Sequence, residues 1–126
     1  MPYKIEDRDC YVEVSVWGEA NRWEVLEALR KLHRRDPRKE IPDMWLISEE
    51  TVFPVEWHLP VATATEKLCA KGCIGARSAI VVADKLHKAQ LDLYRKQARE
   101  LPYQMRVFTE RKDAEIWLAE AKSRGD

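Results

Sequence analysis

Glycine is scarce in this chain. The 126 residues include four, and none of them stands in a Gly-x-Gly spacing, so there is no loop of the kind that cradles a phosphate. A Gly-x-Ser-x-Gly turn, which would raise a serine nucleophile, is also missing. The longest purely apolar run, Ala79 to Ala83, is far short of the ~20 residues a membrane helix needs. Neither sign of charge predominates: Lys+Arg is 22 and Asp+Glu is 22, which leaves no electrostatic case for nucleic acid or an anionic membrane. The opening residues, MPYKIEDRDC, carry acids where a signal peptide has its apolar core. These absences lead us to expect a cytoplasmic protein that is not an enzyme, does not bind nucleic acid and does not insert into a membrane.

Cysteine is limited to Cys10, Cys69 and Cys73. An odd count in a cytosolic chain argues for free thiols. In CAKGC three residues separate the two cysteines, one more than in a redox or zinc-knuckle pair. Two thiolates with His33, His58 or His87 make a metal site on paper, but structural zinc takes four ligands at tighter spacings. The expectation is no metal and no cofactor, with the thiols buried or incidental.

What is present is a globular composition, 45% hydrophobic and 35% charged, of a length that suits one domain over residues 1–126. Tyr3 to Glu6 reads as a first strand. Cys10 to Trp17 alternates strictly, with Val12, Val14 and Val16 on one face and Tyr11, Glu13, Ser15 and Trp17 on the other; its short connection to the first strand predicts a hairpin. Asn21, with Glu24 three residues on, predicts a capped helix to about Arg35, with Trp23, Leu26, Leu29, Arg30 and His33 as its stripe and Val25 and Leu32 flanking. Asp43 to Ser48 is an apolar third strand. Pro54 and Pro60 punctuate the irregular segment that follows, and a helix begins at one or the other and stops at Gly72. Ser78 to Ala83 is the fourth strand. Asp84 caps the next helix, whose stripe is Leu86, Ala89, Leu93, Tyr94, Ala98 and Leu101. Gln104 to Phe108 is the fifth strand, and Thr109 caps a last helix with Ala114, Trp117, Leu118 and Ala121 inward. The order ββαβαβαβα predicts an α/β fold with a largely parallel sheet, one antiparallel strand at its start and right-handed crossovers.

The ending, MRVFTERKDAEIWL, and the preceding GARSAIVVADKL carry a resemblance. Arg106, Val107, Phe108, Ala114, Trp117 and Leu118 fit the final "RVF", alanine and "WL" of the SpoIIAA-like family, small bacterial domains of the STAS and anti-sigma-antagonist type. The likeness covers the whole chain in pattern and is most specific in the last third. It implies a five-stranded, mostly parallel sheet in near-sequential order with helices mainly on one face. It also implies a non-enzymatic regulatory or protein-interaction module. If the valines of the second strand pack under the helices, Tyr11 and Trp17 fall on a partly open sheet face suited to a homodimer. The alternative is that another part of the chain covers that face.

Anti-sigma antagonists carry a phosphorylatable serine just after the third strand, where helix N–H groups stabilise a phosphate. Here that region reads ISEETVFPV. Ser48 and Thr51 are the candidate hydroxyls, but the family's serine motif is absent, and Glu49 and Glu50 would repel a phosphate. Ligands of open α/β sheets bind beyond the carboxyl ends of the strands. That rim holds Ser48, Thr51, Phe53, Trp57 and His58 together with Asp84, and these six are the candidate ligand-binding residues. The aromatics suit a lid over an apolar small molecule or a hydrophobic plug, and the plug is the stronger reading. The CRAL-TRIO lipid-binding domains share the broad fold, which makes an apolar ligand the second functional reading by analogy. The basic run RKLHRRDPRK, Arg30 to Lys39, complements a helix carboxyl end or meets an acidic protein partner.

Overall fold

Alternating valines decide how the second strand lies. Val12, Val14 and Val16 are all buried on one face of a five-residue strand, while Glu13 and Ser15 face the other way. The computed structural model describes residues 3–8, 11–19, 22–35, 41–51, 77–97 and 104–124. The elements in them are β1 (Tyr3–Asp7), β2 (Val12–Val16), α1 (Arg22–Arg35), β3 (Asp43–Ile47), β4 (Arg77–Val81), α2 (Lys85–Gln97), β5 (Gln104–Phe108) and α3 (Arg111–Arg124). The cysteines, Asn21, the segment holding Phe53, Trp57 and His58, and the helix expected from Pro54 or Pro60 to Gly72 lie outside the described residues.

The strands form one mixed sheet in sequential order. β1 pairs antiparallel with β2, and every later pairing is parallel. Val14 sits opposite Ile5 on one side and Trp45 on the other, so the apolar positions line up across the strands. β3 is apolar on both faces, as a strand with neighbours on either side should be.

Two apolar cores sandwich the sheet. The larger unites the β2 valines, Trp45, Ile47, Met105 and Val107 with Val25, Ala28 and Leu32 of α1 and Leu91 and Tyr94 of α2. The smaller holds Met44 and Ala79 against Ala114, Trp117 and Leu118 of α3. The expected one-sided arrangement therefore holds for α1 and α2, whereas α3 covers the opposite face. Crossovers of one hand through strands in sequential order put their helices on the same side. Helix α3 links no two strands of this sheet, so that rule does not set its side, and it packs beneath.

Two helices keep part of their expected stripes, Leu26 in α1 and Tyr94 in α2 being buried, but turn other stripe residues outward. In α1 the fully buried Ala28 marks the closest approach to the sheet, so Val25, Ala28 and Leu32 face in and Trp23 is 66% exposed. In α2, Leu91 and Tyr94 face in, while Leu86 is 68% and Leu93 41% exposed. Turning either stripe inward buries similar area, roughly 1.5–3 kcal/mol per large side chain, so periodicity alone does not choose between them. In α3, Ala114, Trp117 and Leu118 are buried as expected. The Ala114 N–H bonds the Glu110 carbonyl, which places Glu110 at the helix start and Thr109 one residue before it.

Candidate functional site

At the carboxyl ends of β2 and β3 the chain makes a small closed network. Gly18 takes φ 77°, a value that favours glycine, as the chain leaves β2. The Ser48 N–H bonds the Val16 carbonyl at 3.0 Å, and the Thr51 N–H bonds the Ser48 carbonyl at 3.1 Å. The Thr51 hydroxyl donates to the Gly18 carbonyl at 2.8 Å and lies 2.9 Å from the Ser48 hydroxyl. With the Thr51 proton on Gly18, Ser48 is the donor of that pair. Thr51 is fully buried. The Gly18 N–H donates to Glu50 at 3.3 Å. Backbone N–H groups of Glu50 itself and of Gly18 hold the Glu50 carboxyl below its ordinary value.

Asp84, on the neighbouring rim after β4, caps α2. Its carboxylate accepts the His87 N–H at 2.9 Å and contacts the His87 ring Nδ1 at 2.8 Å. The His87 N–H, then the His87 ring, hold the Asp84 carboxyl below its ordinary value. So three of the six expected ligand residues, Ser48, Thr51 and Asp84, stand on the carboxyl rim of two adjacent strands. Phe53, Trp57 and His58 lie outside the described residues. The described rim groups serve as turn ties and a helix cap, and their hydroxyl protons are committed to neighbours.

The more polar arrangement lies under α3. Glu13 is 3% exposed although its strand position faces away from the valine core. Arg8 Nη2 reaches its Oε2 at 3.0 Å, and Arg111 Nη2 reaches its Oε1 at 2.5 Å and the Tyr11 hydroxyl at 2.9 Å. Burial by itself would raise the Glu13 carboxyl, but the Arg8 hydrogen bond and the charges of Arg111 and Arg8 outweigh it and hold it below the usual carboxylate range. Beside this network an open groove of about 710 Å³ runs between the β1–β2 turn and α3, lined by Asp7, Arg8, Tyr11, Lys112, Glu115, Ile116, Leu118 and Ala119. Of the two expected interface residues, Tyr11 packs partly against the α3 core, and Trp17 is 41% exposed.

Sequence reasoning gave no role to Glu13, Arg8 or Arg111. The signal was there, since one acid stands amid the valines of VEVSV and needs a cation once the opposite face is covered. Nor did it single out Asp43, which is buried and accepts from Trp45 Nε1 at 3.1 Å and from the Ser78 hydroxyl at 2.5 Å. Among the described residues, no group of three or more His, Cys, Asp or Glu could hold a metal ion, and no helix is long and apolar enough to cross a membrane. Comparison with family models, with curated proteins and with solved structures gives no match.

Proposed function

We propose that this chain is a non-enzymatic protein-interaction module of the STAS-like kind, acting in the cytosol as a homodimer that engages a regulatory protein. The observation that carries this reading is the fate of the rim groups. Ser48, Thr51, Gly18 and Glu50 bond one another, and Asp84 caps α2. Catalysis or phosphate capture needs donors and acceptors that converge on a vacant point instead. Large apolar side chains are meanwhile exposed, including Trp17, Trp23, Leu86 and Leu93, which suits docking rather than chemistry. Thr51 is fully buried and the Ser48 hydroxyl is engaged with it, so a phosphoryl switch at this rim would first require the turn to open.

Native mass spectrometry on freshly purified protein, followed by a denaturing run, tests this reading. A dimer without added mass supports it. A small molecule that leaves on denaturation overturns it in favour of a second reading, a carrier of an apolar ligand. One observation favours that second reading, the groove beside Ile116 and Leu118. Ile116→Asp would then abolish the added mass.

A further inference from the structure

We propose that two copies of this chain pair through the open edge of β1, antiparallel, with Ile5 of one copy opposite Ile5 of the other. The inference rests on the homodimer reading above and gives that dimer an interface and a register.

The sheet ends at β1: among the described residues no strand lies beyond it. An open edge is a template for another strand. The Arg8 N–H bonds the Tyr11 carbonyl at 2.9 Å, directly beyond the pair formed by Asp7 and Val12. In an antiparallel ladder, bonded and non-bonded pairs alternate. Arg8, Glu6 and Lys4 therefore exchange bonds with β2, while Tyr3, Ile5 and Asp7 direct N–H and C=O away from it. A second β1 must meet the outward-directed positions, Ile5 at their centre, with its own outward-directed positions.

That condition leaves few registers, and charge selects among them. With Ile5 opposite Ile5, Tyr3 faces Asp7 and Lys4 faces Glu6 twice, on one face of the joined sheet. Sliding the second strand by one bonded pair one way puts Lys4 against Lys4; sliding it the other way puts Glu6 against Glu6. Opposite charges across a ladder stabilise and like charges destabilise. Lys4 and Glu6 already pair within the chain at 3.0 Å, so the joined edges close a four-charge ring of alternating sign. The other edge offers no such code, because Arg106 is the one charged residue of β5 and has no acid to oppose it in any register. The pairing is isologous, as a two-fold dimer requires.

The test is sedimentation equilibrium on the 126-residue wild-type chain, Lys4→Glu, Glu6→Lys and the double exchange K4E/E6K, with circular dichroism to check folding. Each single change opposes like charges at the two-fold, and the dimer dissociation constant should rise about tenfold. The double exchange restores opposite charges and should return it to within about threefold of wild type. The Ile5 amide should exchange more slowly as protein concentration rises. Glu6 also meets Arg8 at 3.2 Å, so E6K perturbs the monomer as well. Lys4 is 64% exposed, and K4E alone keeps the test decisive. If all variants dimerise as wild type does, the β1 edge is not the interface, although the dimeric module stands. If wild type is monomeric at its highest soluble concentration, the dimer reading fails and the edge proposal with it.

Discussion

Arg111 of α3 and Glu13 of β2 meet at 2.5 Å although 98 positions of sequence separate them. The contact ties the last helix to the second strand on the face the valines leave free. With Arg8 it forms an ion cluster whose centre, Glu13, is buried and whose two cations are partly open to water.

Glu13 makes stability depend on acid. Its folded carboxyl lies below its unfolded value, so its contribution is complete above the ordinary glutamate range near pH ~4.3 and is lost as pH falls through the lower folded value. Glu13→Gln should cost about 1.5–3 kcal/mol at pH 7, the range for hydrogen bonds to charged groups. Urea midpoints of the two proteins should converge as pH is lowered below 4, in the order-of-magnitude window set by that linkage. A gap that persists undiminished in acid would refute this account.

The guanidinium of Arg77 lies 4.8 Å from the Trp117 ring centroid and its Nη1 donates to the Trp117 carbonyl at 2.7 Å. Arg106 lies 5.7 Å from the same ring, and Phe108 packs against it at 5.8 Å. Trp117→Ala should cost about 3–5 kcal/mol in guanidinium unfolding, the usual range for a buried aromatic. Trp117→Phe keeps a ring for the arginines and should cost distinctly less.

Asp43 Oδ1 accepts from two buried donors, the Trp45 indole N–H and the Ser78 hydroxyl. Asp43→Ala strands both, at about 1–3 kcal/mol for each unsatisfied group. Ser78→Ala removes one donor and should be milder. Equal losses for the two variants, measured by thermal unfolding, would contradict the shared-acceptor arrangement.

Helix α2 offers a direct test of which stripe faces in. Leu86→Lys and Leu93→Lys should change stability by less than about 0.5 kcal/mol, as exposed positions do. Leu91→Ala should cost about 2–5 kcal/mol. The reverse order would mean that the helix is turned toward the stripe expected from its spacing.

The strands were legible because their signal is local. Val12, Val14 and Val16 alternate, and Gln104–Phe108 has the bounds its pattern predicts. Asp84 was legible as a cap for the same reason, since the hydrogen bond it accepts comes from a residue three positions away. The rim network was legible only in part. Thr51 was placed after β3 and Ser48 at its end, one residue beyond the observed Ile47, but that Gly18 takes up the Thr51 hydroxyl depends on β2 and β3 lying side by side.

By itself the sequence determined the five strands, the three helices among the described residues, their order and the mixed sheet, because period, caps and turn residues act over a few positions. Tertiary structure decided which stripe of α1 and α2 turns inward, because Trp23, Leu86 and Leu93 are as apolar as the residues buried in their place. It also decided that α3 lies beneath the sheet and that Glu13 is buried between two arginines. Those outcomes follow from close packing and charge pairing between distant segments, and no local pattern encodes a partner 98 residues away.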